Sequence, residues 1–195
     1  MPSESVWFEQ VDEALIAYIQ NIVKLKNDKG VLSPVPVKIR KPDEDFKIET
    51  YPSITLYNLY SVRDEVRYNP EPVVIGRDEV NATLIEEQSA IPYSLYYQID
   101  FWARLQSHMN DMTRLWLGHN PDRCFNLPVK DLSGNDRSSF VLLTDDLKKS
   151  DLLNGTDRTF HSMLTYRVWV ELDEKITVEK PMVVTVEVNQ SLTNK

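Results

Sequence analysis

The sequence predicts an α+β domain in which a single antiparallel or mixed β-sheet carries an N-terminal helix and a second, central helix on one face. Three observations lead there. Ile91 to Trp116 reads as a period-two strand that runs, without a turn signal, into a period-3.6 helix. The N-terminal stretch carries a broad amphipathic stripe. The C-terminal stretch carries two long alternating strands.

Ser5 is read as the N-cap of the first helix, whose apolar stripe runs Phe8, Val11, Leu15, Tyr18, Ile22 and Leu25, widened by Trp7, Ala14 and Ile19. Glu9, Asp12 and Glu13 precede Lys24, Lys26 and Lys29, which complements the helix dipole, and Gly30 is placed to close the end. Residues 33–52 carry Pro34, Pro36, Pro42 and Pro52 among charged side chains and read as an exposed arm. Ile54, Leu56 and Tyr60 mark a strand ended by the charged run Arg63 to Arg67. Val73 to Ile75 and Ala82 to Ile85 are short strand candidates.

In the central strand Leu95, Tyr97, Ile99 and Phe101 alternate with Gln98 and Asp100. Past Trp102, Leu105, Met109, Met112 and Trp116 form one helical stripe. Gly118 and Pro121 break that helix, and 118–138 is expected as a long loop. Ser139 to Leu143 reads as a strand and Asp145 to Asn154 as a turn of helix. Phe160, Leu164, Tyr166, Val168, Val170 and Leu172 line one face of a strand. A tight connection at Asp173 to Lys175 is expected to return it as a hairpin through Ile176, Val178, Met182 and Val184 to Val188. Pro181 belongs at an edge or bulge, and 189–195 is a polar tail.

Composition narrows the function classes. The chain has 195 residues and 42% hydrophobic content, enough for one domain with its own core. Its net charge of -8 opposes electrostatic binding of duplex DNA, while DNA sliding past without adhesion is compatible with it. Cys124 is the only cysteine, so no intramolecular disulfide forms. No basic segment leads an apolar run, which argues against a secretory signal, and no apolar stretch reaches membrane-spanning length.

Catalytic signatures are weak. His108, His119 and His161 lack partners at metal-ligand spacing and are read as surface or loop residues. DLSGND, with Asp131, Asn135 and Asp136, lacks the carboxylate spacing of a calcium loop. Glu86 and Glu87 are adjacent on a strand and point to opposite faces. Ser94 has no nucleophile-elbow surround, and Cys124 follows Arg123 without an implicated histidine. The aromatic run Tyr93, Tyr96, Tyr97, Phe101 and Trp102 has only Arg104 beside it, with Asp100 opposing, so core packing and a subunit interface explain it better than base stacking. No catalytic residue, metal or cofactor is assigned.

The segment IPYSLYYQIDFWAR resembles the strand of tailed-phage tail-terminator and tail-completion proteins, in which a Pro-Tyr start leads into an alternating strand and then a helix. YPSITLYNLY, the N-terminal helix and the two closing strands fall where that family places its elements. The resemblance implies a non-enzymatic virion protein, assembled in the host cytoplasm. It would form a homo-oligomeric ring, commonly a hexamer, at the head-proximal end of the tail. There it would stop tube polymerisation and dock the neck or head-completion protein, with the tail sheath a further partner in contractile tails. DNA would pass through the lumen without specific binding, and no membrane is involved. The alternatives are another neck or baseplate adaptor and, behind it, a small carboxylate-based hydrolase using Glu86 or Asp100. For the subunit or partner interface the sequence nominates Lys38, Arg40 and Phe46 on the arm, and Tyr96, Gln98, Asp100 and Trp102 on the central strand.

Overall fold

The computed structural model describes residues 4–27, 30–40, 48, 50–67, 73–78, 83–87, 91–130, 136–154, 157–172 and 177–181. Among the described residues two helices, α1 (Glu4–Ile22) and α2 (Gln106–His119), accompany twelve strands. The main sheet has the order β3 (Val37–Ile39), β4 (Ser53–Arg63), β7 (Ile91–Ala103), β11 (Asp157–Leu172), β9 (Asp136–Lys149), β8 (Cys124–Lys130). A short β10 (Leu152–Asn154) also pairs with β11. All its pairings are antiparallel except β3 with β4, which is parallel, so the sheet is mixed. Two smaller sheets are β1 (Lys24–Lys26) with β2 (Leu32–Pro34), and β5 (Val73–Asp78), β6 (Thr83–Glu87) and β12 (Thr177–Pro181).

The α+β class stands as expected. Alternation on β7 sends Leu95, Tyr97, Ile99 and Phe101 into the core, and β11 adds Phe160, Leu164, Tyr166, Val168 and Val170 to the same side. Both helices lie on this side. Helix α1 inserts Val11, Leu15 and Ile19, and α2 inserts Met109, Met112 and Trp116. Trp116 is fully buried, donates from Nε1 to the Tyr166 hydroxyl at 2.7 Å, and meets Tyr18, Phe125 and Tyr166 edge-on. Burial pushes the Tyr166 phenol up to about 12. Tyr97 reaches across to α1 and donates to Asp12 Oδ1 at 2.7 Å. Loss of hydration raises the Asp12 carboxyl, the Tyr97 bond opposes that rise, and the charge of Glu9 adds to it.

Several boundaries differ from the sequence expectation. Helix α1 ends at Ile22, not near Gly30, and Ser5 lies inside it. Lys24–Lys26 is an extended strand instead, paired antiparallel with Leu32–Pro34, and Asn27 and Gly30 lie between the two strands. Gly30 there has φ +74 and donates to the Asn27 carbonyl, while the Asn27 side chain accepts from the Val31 N–H. The arm at 33–52 is not wholly a loop, since Val37–Ile39 adds as a parallel edge strand beside Ile54–Leu56. The loop expected at 118–138 contains β8, which alternates Phe125, Leu127 and Val129 inward and pairs with β9 along its whole length. Asp145 to Asn154 is strand, not helix: it continues β9 through register shifts opposite Thr165, and then forms β10. Leu105 is 55% exposed and precedes α2 without joining its stripe. Strand β12 does not return against β11. It pairs with β6, at the edge of the three-stranded sheet, with Pro181 at its end. Asp131, Asn135, the connection at 173–176, the rest of the return strand and the tail at 189–195 lie outside the described residues.

One irregularity matters for the site. The β4–β7 ladder shifts register between Asn58 and Tyr60, so Tyr60 and Val62 pair with Tyr96 and Ser94, which face away from the helices.

Two outcomes test this core. Trp116→Ala should cost about 3–5 kcal/mol, and Tyr166→Phe, which strands the indole N–H, about 1–3 kcal/mol, read from urea midpoints with the slope unchanged. A carboxyl raised on folding contributes fully below its unfolded value near 3.8, and that contribution is lost as pH rises through the raised value. Asp12→Asn keeps an acceptor for Tyr97 and should therefore gain stability on the wild type as pH rises from below the unfolded value near 3.8 to above the raised one; parallel stability profiles would exclude this role for Asp12.

Candidate interface on the helix-free face of the sheet

Among the described residues no helix lies on the opposite face of the main sheet, where even-numbered β7 side chains meet odd-numbered ones of β11. At one end Asp100 is fully buried. Its Oδ1 accepts from Gln98 Nε2 at 2.8 Å and from His161 Nε2 at 3.0 Å, and its Oδ2 accepts from Thr55 Oγ1 at 3.4 Å. Trp102 donates from Nε1 to Thr55 Oγ1 at 3.1 Å, and its ring stacks on the His161 imidazole at 3.8 Å between centroids. Thr55 lies on β4, Gln98, Asp100 and Trp102 on β7, and His161 on β11. The cluster therefore cross-links three neighbouring strands through side chains, in addition to the ladder bonds. His161 is buried, which corrects its reading as a surface residue.

The cluster is not arranged for nucleophilic catalysis. The Thr55 hydroxyl is taken up by Asp100 and Trp102, and Ser53, whose Oγ has no hydrogen-bond partner, sits opposite Trp102, which separates it in register from His161. Among the described residues no group of three or more His, Cys, Asp or Glu is placed to hold a metal ion. No helix among them is long and apolar enough to cross a membrane.

Farther along the same face an aromatic–arginine ladder crosses four adjacent strands. Tyr60 of β4 stacks on Tyr96 of β7 at 4.5 Å. The Arg167 guanidinium of β11 lies 5.9 Å from the Tyr96 ring and 5.0 Å from the Trp169 ring, and Trp169 stacks on Phe140 of β9 at 5.0 Å. Arg67 covers Trp169 at 5.7 Å. Ser94 Oγ accepts from Arg167 Nε and Nη2 at 3.0 and 2.8 Å, and Asp64 Oδ2 accepts from Arg67 at 2.7 Å and from Arg167 at 3.4 Å. The bond from Arg67, with the Arg167 charge behind it, holds the Asp64 carboxyl below its usual range. Tyr60 and Phe140 remain 53% and 37% exposed.

The nominated residues fall on this face in unequal ways. Tyr96, Gln98 and Trp102 are half-buried on it, and Asp100 lies beneath them. Lys38 is in register with Thr55, and the Arg40 guanidinium sits over the Tyr57 ring at 5.5 Å, one strand from Gln98. Phe46 lies outside the described residues. Sequence reasoning missed Thr55, His161, Tyr60, Phe140, Arg167 and Trp169. Alternation on each strand was visible, but which strands adjoin was not.

A double-mutant cycle on Asp100→Asn and His161→Gln should return a coupling of about 0.5–3 kcal/mol. Trp102→Ala should cost on the order of 2 kcal/mol, below the about 3–5 of a fully enclosed tryptophan. Additive effects, or unchanged melting of the Trp102 variant, would dissolve the cluster as a unit.

No known family profile matches this chain, and no curated protein does. Among solved structures it overlaps the sheath/tube terminator of an extracellular contractile injection system, PVC, in the extended state, at 15% identity and TM-score 0.49. That overlap takes in 96% of this chain, which spans only 65% of the other. A second solved structure, of a protein with no descriptive name, overlaps at 12% identity and TM-score 0.38, over 86% of this chain and 96% of that one. Likeness at this level is one of outline, and no functional assignment rests on it.

Proposed function

We propose that this chain is a structural, non-enzymatic subunit that closes into a ring, in the manner of the tail-terminator and tail-completion proteins that its central segment resembles. In this reading the ring, a hexamer, caps the head-proximal end of a tail, ends tube polymerisation and offers a face to the neck or head-completion protein, with the sheath as a further neighbour. The observation that carries it is the ladder of Tyr60, Tyr96, Arg167, Trp169 and Phe140 on a sheet face with no helix among the described residues over it. Tyrosine, tryptophan and arginine held in fixed positions are the composition of interface hot spots. The clustered Asp100, His161 and Trp102 stiffen the same face, so little conformational entropy is lost when a neighbour docks. A closed ring requires a different patch on the adjoining copy, and the edge strand β3 with Lys38 and Arg40 lies across the sheet from Phe140. A net charge of -8 on each copy favours a lumen that DNA does not adhere to.

The test is light scattering and negative-stain imaging of the chain alone and with tail tubes of the same particle. The expected result is a ring in solution or on one tube end, and loss of both in Tyr60→Glu with Phe140→Glu at unchanged melting temperature. A chain that stays monomeric and leaves tube ends bare would overturn the reading.

A further inference from the structure

On the helix-bearing side, away from the ladder, β1 lies along α2 and leaves an open groove of about 480 Å³ between them. Leu25 and Leu115, both half-buried, and Leu32, 62% exposed, supply apolar surface. Lys24, Lys26 and Arg114 bring three cations to it, against the single carboxylate of Asp111. The chain as a whole carries -8, so this is a local reversal of sign.

The cations are available. Lys26 has no hydrogen-bond or ion-pair partner among the described residues. Among the described residues Lys24 donates only to the neutral Asn21 side chain, at 3.3 Å. Arg114 meets Asp111 at 3.4 Å, with side chains 78% and 49% exposed, a solvent-screened pair that a second carboxylate can displace. His108 is the remaining titratable group in the groove.

We infer that this groove binds an acidic peptide segment that carries one aromatic or aliphatic anchor. Carboxylates would meet Lys24, Lys26 and Arg114, and the anchor would lie on Leu25, Leu32 and Leu115. The size suits a few side chains and not a folded surface, and charge complementarity selects the sign of the partner. The inference is independent of ring formation. A segment of this composition occurs in the chain itself as Asp43, Glu44, Asp45 and Phe46.

The probe is a dye-labelled, end-blocked peptide copying residues 42–46, titrated with the full chain by fluorescence anisotropy. Saturable binding is expected, weakened tenfold or more by Lys26→Glu with Arg114→Glu, by replacing the three carboxylates with amides, and by raised salt. Both substitutions fall on exposed side chains, and unchanged thermal melting will show that the fold is kept. Lys130→Glu with Lys149→Glu makes the same change in net charge elsewhere and should leave the affinity as it was. No saturation by about 1 mM peptide, or equal binding by the groove variant or the amide peptide, overturns the inference. So does an equal loss in the Lys130 and Lys149 variant, which would make the attraction one of overall charge.

Discussion

The pairing of Ile91–Ala103 with Phe160–Leu172 holds the rest of this structure in place. It joins the two longest runs of strict alternation in register, so Tyr97 faces Tyr166 on the helix side and Trp102 faces His161 on the other. A slip of one residue would send every apolar side chain of one strand to the wrong face. The cost of that slip is what makes the register unique. Both helices, the flanking strands β4 and β9 and both clusters on the helix-free face take their positions from this one ladder.

The two faces are stabilised by different physics. The helix side is largely apolar burial, and three of its polar contacts join different elements: Tyr97 to Asp12, Trp116 to Tyr166, and Tyr18 to Asn120 at 3.0 Å. These bonds fix the two helices over the sheet, and at Asp12 the Tyr97 hydroxyl offsets part of the cost of taking a carboxyl out of water. On the other side polar groups are buried under the side chains of their own sheet, with no helix among the described residues over them. A buried carboxylate there is held by an amide, an imidazole and a hydroxyl, and the surface left above it is aromatic and cationic. Such a face is rigid and only partly hydrated, the state in which a protein surface loses least on meeting another.

Much of this was readable from the residues. Alternation in Leu95 to Phe101 and in Phe160 to Val170 gave the inner face of the sheet, and the stripes through Val11, Leu15, Met112 and Trp116 gave both helices. Boundaries were harder. Lys24 to Lys26 has no pattern that separates a last helical turn from a short strand, and the turn residues after it were decisive only in three dimensions. The stretch 118–138 reads as loop because Pro128 and the polar residues around it obscure a strand whose inward residues are Phe125, Leu127 and Val129. Of the candidate site, Tyr96, Gln98, Asp100 and Trp102 were legible as the outer face of one strand. Their partners Thr55 and His161 were not, since cross-strand adjacency depends on topology, and a lone histidine among strand residues has no signature of burial.

The irregularity between Asn58 and Tyr60 has a consequence for how such a chain can vary. One surplus residue in β4 reverses which side the remainder of that strand presents, and so Tyr60 and Val62 emerge beside Tyr96 instead of on the helix-bearing side of the sheet. Removing it would shorten the chain by a single amino acid while exchanging the outward and inward halves of the strand tip. Length changes here would therefore act as all-or-none switches of surface chemistry, whereas a substitution at the same place alters a single side chain.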